Sequence, residues 1–185
     1  EHPQCSFIKM DFLSPEPNKI PKTIEAAYYL IHSMATNADD FEDLERQCAH
    51  NFKNLVEATE CKQVIYLSGI VNDDSLSKHL KSRLQVEETL KSDSYALTTF
   101  RAGIIVGSGS ASFEIIRDIV EKLPVMVTPK WLNTKTQPLG IRDVLTYLSQ
   151  ALGKEVLYNK SYDIFGPEVL TYKEMLLQFA EVRGL

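Results

Sequence analysis

Residues 64–106 read VIYLSGIVNDDSLSKHLKSRLQVEETLKSDSYALTTFRAGIIV, and this stretch decides the class of fold. Val64–Ser68 is a compact run of β-forming side chains that ends at Gly69. His79–Lys91 then follows helical spacing, with Leu80, Leu84, Glu87 and Leu90 marking repeated turns. Tyr95–Val106 is apolar again and closes in the Gly107–Ser110 turn. Strand, helix, strand in this order is a βαβ unit, whose crossover makes its two strands parallel. The strands are continuous apolar runs, as expected where both faces of a sheet are covered.

The same alternation extends outward in both directions. Upstream, Ser6–Phe12 and Ala26–Ile31 read as short buried strands. Between Asp39 and Thr59, Phe41, Leu44, Cys48, Phe52, Leu55 and Val56 fall on one helical face. Asp39, Asp40, Glu42 and Asp43 crowd the first turn of that helix, where its dipole favours negative charge. Downstream, a helix through Phe113, Ile116, Val120 and Leu123 stops at Pro124. Val125–Thr128 follows as a strand, Ile141–Leu152 as a helix ending at Gly153, and Ser161–Phe165 as the last strand. Thr171 and Glu174 form a T-x-x-E capping box that opens a final helix through Met175, Leu176, Phe179 and Ala180. The pattern predicts an α/β fold over residues 1–185: a doubly wound, mostly parallel sheet with helices on both faces. Ser14–Pro21 and Pro129–Pro138 read as ordered loops, the second long enough to suggest a binding surface.

Composition narrows the function. Of 185 residues 44% are hydrophobic and 24% charged, which excludes a disordered or collagenous chain. Twenty basic against 25 acidic side chains leave a net charge of −5 without a basic stripe, which argues against nucleic-acid backbone binding. No apolar run approaches the length of a membrane span, and the opening EHPQCSF is unlike a signal peptide. Cys5, Cys48 and Cys61 are odd in number with no C-x-x-C pair, which favours a reducing cytoplasm over a disulfide framework or a structural metal site.

An absence sharpens this picture. Doubly wound folds hold a dinucleotide on a Gly-rich turn after the first strand, where only glycine lets the backbone approach a pyrophosphate. Here the first glycine is Gly69, so no G-x-G-x-x-G fingerprint lies in the N-terminal half, and there is no P-loop. Either the protein binds no dinucleotide, or the given residues start after the phosphate-binding unit; the second is the expectation.

The segments AYYLIHSM, VIYLSG, FRAGIIVGSGSASFEIIRDIVEKLP and QPLGIRDV give the reason. Together, from about Ile8 to Leu185, they resemble an NmrA-like group of atypical short-chain dehydrogenase/reductases, described as nucleoside-diphosphate-sugar epimerases or NAD(P)-binding proteins. The resemblance implies a Rossmann-type fold with NAD or NADP as cofactor, and a Gly-rich first βα unit preceding these residues. It also implies site positions. Asp11 and Phe12 match the pair that lies against adenine, and His32 and Ser33 follow a strand at its ligand-binding edge. Ser68 stands where the group keeps its catalytic serine, and Ala102, Gly103 and Ile104 lie where the backbone passes the nicotinamide. Each also has a structural reading: a strand terminator with a buried Phe, loop polar groups, or a turn serine.

The chain departs from the wider superfamily at one place. Catalysis there uses Tyr-x-x-x-Lys, two side chains on one helix face with the lysine lowering the tyrosine's pKa. The corresponding residues here are His79 and Arg83, an H-x-x-x-R in which an imidazole stands for the phenol. A neutral imidazole can relay protons, and both side chains can equally form a solvated helix face. Gly107–Ser110 reads first as a helix cap, Arg142-Asp143 as a pair at a helix start, and Trp131 as a loop anchor or pocket wall. The resemblance implies an NAD(P)-dependent oxidoreductase or epimerase acting on a nucleotide-linked sugar or similar hydroxy compound, with dinucleotide and small-molecule partners. The alternative it leaves is a non-catalytic, NmrA-like dinucleotide sensor. Oligomeric state is not legible.

Overall fold

Unbroken β-forming runs flanked by amphipathic helices build a central sheet whose strands lie in the order β1 (Ala26–Tyr29), β2 (Gln63–Gly69), β3 (Ala96–Ala102) and β7 (Lys160–Ile164). The computed structural model describes residues 4–32, 38–70, 78–122 and 129–184. In chain order the elements are β1 (Ala26–Tyr29), α1 (Ala38–Glu57), β2 (Gln63–Gly69), α2 (Lys78–Leu90), β3 (Ala96–Ala102) and β4 (Ile105–Val106). Then come α3 (Ala111–Lys122), β5 (Lys135–Thr136), β6 (Leu139–Gly140), α4 (Ile141–Ala151), β7 (Lys160–Ile164), β8 (Leu170–Thr171) and α5 (Tyr172–Arg183). The central sheet is mostly parallel; β1 lies parallel to β2 with Ala26 opposite Gln63 and Tyr29 opposite Tyr66. Two small ladders accompany it, β4 parallel to β6 and β5 antiparallel to β8.

The chain divides into two compact units, Glu1–Phe100 with Ala151–Tyr162, and Arg101–Gln150 with Asp163–Leu185. In the first, α1 and α2 pack on each other and the core gathers Tyr29, Ala49, Phe52, Val56, Val64, Tyr66, Val86, Leu90 and Leu97. Tyr29 sits edge-on to Phe52 at 4.9 Å and to Tyr66 at 5.6 Å between ring centroids. Gln63, wholly buried, ties β2 to its surroundings: its Nε2 donates to Thr98 Oγ1 at 3.0 Å and to the Ala151 carbonyl at 3.1 Å, and its Oε1 accepts from Gly153 N–H at 2.8 Å. In the second unit Ile116, Leu132, Met175 and Leu176 form the core beneath α3 and α5. Gly166 is obligatory there, because a Cβ would stand 2.0 Å from the Pro138 carbonyl oxygen.

Three expectations need correction or division. Ser6–Phe12 is not a strand: the segment runs exposed, with Phe7 92% accessible, and pairs with no strand among the described residues. An apolar run without a neighbour to receive its N–H and C=O groups has nothing to hold it as a strand. Tyr95–Val106 is two strands, not one, because the chain bends at Gly103-Ile104 and β4 leaves the central sheet to join β6. The Pro129–Pro138 stretch carries a 3-10 turn over Lys130–Asn133 and then β5. Val125–Thr128 lies outside the described residues. The capping box is present in full: Thr171 Oγ1 accepts from Glu174 N–H at 3.1 Å, and Glu174 Oε2 accepts from Thr171 N–H at 2.7 Å.

Candidate functional site

Parallel strands end together, so the polar side chains that follow them converge at one edge of the sheet. In the first unit this edge carries His32, which follows β1, and Ser68, near the end of β2. Ser68 is buried, as is Tyr66 two residues earlier on the same face of β2. The Tyr66 hydroxyl is fully enclosed and meets no hydrogen-bond partner of good geometry. Burial raises its pKa above the ordinary phenol value, while the nearby Ser68 hydroxyl and Arg83 guanidinium pull it back part of the way. Burial likewise holds Tyr29 well above the phenol range. Both phenols therefore stay protonated at neutral pH.

Two helices deliver the charged groups. α1 supplies Glu45, whose side chain is only 4% exposed, and α2 supplies Ser82 and Arg83. Ser82 Oγ, also buried, donates to Glu45 Oε2 at 2.5 Å. His32 Nδ1 lies 3.0 Å from Glu45 Oε1 and 2.5 Å from Arg83 Nη2. Four polar residues from three segments thus form one connected cluster that is buried at Glu45 and open at His32, whose side chain is 43% exposed.

The residues read from sequence fall out as follows. Arg83 meets His32 Nδ1, and Arg83 and Ser68 both lie near the Tyr66 hydroxyl. His79 sits in the first turn of α2; its side chain, and Ser33 altogether, lie outside the described residues. Asp11 and Phe12 stand in a turn, where Asp11 Oδ1 accepts from Leu13 N–H at 2.9 Å. The Phe12 ring packs against Phe52 with centroids 6.0 Å apart, and Asn51 Nδ2 donates to its carbonyl at 2.8 Å. Arg83 is partly buried, with its guanidinium against His32 Nδ1.

The second unit is described by itself. Ala102 is buried at the end of β3, and Gly103 and Ile104 form the bend that follows, where the Ile104 carbonyl accepts from Leu139 N–H at 2.8 Å. Ser110 caps α3: its Oγ accepts from Phe113 N–H at 3.4 Å and donates to the Ile105 carbonyl at 2.6 Å. Asp143 lies in the first turn of α4 beside exposed Arg142. Trp131 is half exposed and meets Tyr172 edge-on at 5.5 Å, and together with Ile104, Ile116 and Leu176 it walls an apolar hollow of about 210 Å³. Among the described residues no group of three or more His, Cys, Asp or Glu side chains is arranged to hold a metal ion. None of the described helices is long and apolar enough to cross a membrane.

Glu45, Ser82 and Tyr66 were missed in the sequence reading, and two of them left a signal. Residues 45, 49, 52 and 56 share a helical stripe, and Ala49, Phe52 and Val56 on it are buried. A glutamate on the apolar stripe of an amphipathic helix must find a partner, and that mismatch marks it. Ser82 stands in the same relation to Val86 and Leu90.

No family profile matches the chain, and no curated protein matches it in sequence. Solved structures do match. An epimerase from Methanothermobacter thermautotrophicus superposes with a TM-score of 0.82 at 12% identity, over 100% of this chain and 65% of its own. The UDP-glucuronic acid 4-epimerase of Bacillus cereus, solved with NAD, gives 0.78 at 15% identity, over 97% of this chain and 65% of its own. A short-chain dehydrogenase/reductase superfamily protein from Agrobacterium tumefaciens, with NAD bound, gives 0.69 at 12% identity, over 88% and 66%. The chain thus spans just under two thirds of the length of these proteins. At such identities the likeness shows the fold, and the fold is the Rossmann type.

Proposed function

We propose that this chain is part of an NAD(P)-dependent oxidoreductase or epimerase acting on a nucleotide-linked sugar or similar hydroxy compound. One observation carries the reading: the connected polar cluster of His32, Glu45 and Arg83 gathers where β1 ends, with Ser68 near the end of the neighbouring parallel strand β2. The neighbours in fold that were solved with NAD support it.

The residues present fit such a cofactor. Arg83 brings a permanent cation with several donors to the edge of the sheet, which suits ribose hydroxyls and phosphate oxygens. The unpartnered Tyr66 hydroxyl deepens the same patch with a buried polar group. By resemblance, the backbone of Ala102, Gly103 and Ile104 would meet the carboxamide, and Asp11 with Phe12 the adenine. When bound, NAD(P) supplies hydride transfer. Within the protein, Ser68 would hold the reacting hydroxyl or carbonyl by a hydrogen bond, and Arg83 would fix the ribose. His79, in the first turn of α2, is the residue that the tyrosine position assigns to proton relay.

The test uses the full-length protein. Calorimetry with NAD+ and NADP+ is expected to show saturable binding of one dinucleotide, weakened roughly tenfold by Arg83→Met. Turnover of UDP-glucuronic acid and UDP-glucose is expected to fall on the order of 10–100-fold in Ser68→Ala, with dinucleotide binding kept. Failure to bind either dinucleotide overturns the reading; binding without turnover of any hydroxy sugar replaces it with a sensor.

A further inference from the structure

We propose that His32 is the acid–base group of this site, taking and returning the proton of the substrate hydroxyl, and that buried Glu45 is its positioning residue. The inference rests on the dinucleotide-dependent reading above and moves the proton role from His79, whose side chain lies outside the described residues, to a residue that the resemblance places only against the cofactor.

A buried carboxylate is costly unless paired and hydrogen-bonded. Glu45 meets that demand with partners at each oxygen, Ser82 and His32 among them. Ser82 Oγ occupies Oε2, which leaves Oε1 turned to His32 Nδ1. The arrangement anchors the carboxylate from α2 and points it at a ring that opens to solvent. A base held by an orienting acid, and itself exposed, is the geometry of acid–base catalysis wherever it recurs.

The second neighbour of Nδ1 makes the ring's hydrogen decisive. Nδ1 carries one hydrogen or none, yet it faces the Glu45 carboxylate and the Arg83 guanidinium at once. With the hydrogen on Nδ1 the ring donates to Glu45, and its lone pair is on Nε2, ready to accept a proton. With the hydrogen on Nε2 the ring instead accepts from Arg83 through Nδ1 and cannot act as a base at Nε2. Glu45 selects the first form and neutralises the imidazolium that follows; Arg83 favours the second. In the oxidation direction the substrate O–H bond breaks and an N–H bond forms at Nε2. The dinucleotide, when bound, would supply the acceptor for the C–H hydride and its electron pair, leaving the substrate oxygen in a C=O bond. In the reverse direction the imidazolium returns the proton.

Tyr29 and Tyr66 from the adjacent strands are buried and held protonated.

Full-length protein labelled with ¹⁵N-histidine tests this directly, with His32→Gln identifying its resonances among the four histidines. His32 is expected as the Nδ1–H tautomer, shifting mainly to Nε2–H in Glu45→Gln and partly so in Ser82→Ala. With NAD+ and a panel of UDP-linked and free hydroxy sugars, His32→Gln is expected to lower kcat about 10²-fold or more, and Glu45→Gln about tenfold. KM and the dinucleotide Kd stay within about threefold. Should Glu45→Gln not fold, Glu45→Asp and Ser82→Ala carry the tautomer measurement. An unchanged tautomer in these variants, or a His32→Gln enzyme that keeps its kcat, overturns this inference alone. A wild-type protein that binds no dinucleotide, or turns over none of the panel, overturns the functional reading and the proton role with it.

Discussion

The two compact units bury different chemistry. Glu45, Gln63, Ser68, Ser82, Glu87, Thr98 and Thr99 are the buried polar or charged residues among those described, and all seven lie in the first unit. The second unit buries apolar side chains such as Ile116, Leu132, Leu139, Val144, Met175 and Leu176. Burying a polar group is unfavourable until its partners are supplied, so a unit that does so repeatedly depends on geometry as well as on volume. Gln63 with its bonds to Thr98, Ala151 and Gly153, and Glu45 with those to Ser82 and His32, are cases where that geometry is met. The second unit rests on shape: Gly166 against Pro138, Trp131 against Tyr172, and the α3–α5 contact. What the contrast teaches is where to look for chemistry. A network satisfied at depth and open at one end, as at His32, is better placed to move protons than an apolar core.

This contrast can be broken or sharpened by substitution. The largest effect is expected at Gln63→Ala, which strands Thr98, the Ala151 carbonyl and the Gly153 N–H and leaves a cavity. Urea unfolding should show a loss of about 4 kcal/mol. Gln63→Leu fills most of the volume yet strands the same groups, so a loss nearly as large assigns the effect to hydrogen bonds. If Leu instead restores stability, the first unit rests on volume like the second.

Leu176→Ala is expected to cost about 3 kcal/mol by transfer and cavity terms alone. Hydrogen exchange should locate the weakened protection in the second unit, and a loss shared equally by α1 and β2 would erase the distinction drawn here.

The smallest effect belongs to the start of α5. Thr171→Ala is expected to cost about 1 kcal/mol at neutral pH through loss of the cap. The Thr171 N–H and hydroxyl hold Glu174 below its usual carboxylate value. A carboxylate whose folded pKa is lowered stabilises the fold above its unfolded pKa, and that contribution is lost as pH falls through the folded value. Thermal melts of the wild type should therefore lose the Glu174 contribution on the acid side of 4.5. A Glu174→Gln variant whose melting point tracks the wild type throughout that window would exclude it.

Much of the fold was legible because it depends on local signals. The α1 stripe, the β2 run, the α2 spacing and the Thr171–Glu174 box each lie within a single element and within a residue or two of its observed bounds. Ser6–Phe12 misled because an apolar run specifies no partner strand. Tyr95–Val106 misled because nothing in its composition shows where a strand leaves one sheet for another.

The amino-acid order alone determined the βαβ alternation and the capping box at the start of α5, since these follow from periodicity and capping chemistry. Only the tertiary structure decided that Glu45, on one helix, would meet Ser82 on another and His32 after a strand. Such a meeting depends on the packing of α1 against α2 over β1 and β2, and contacts between residues 13 and 37 positions apart leave no periodic trace.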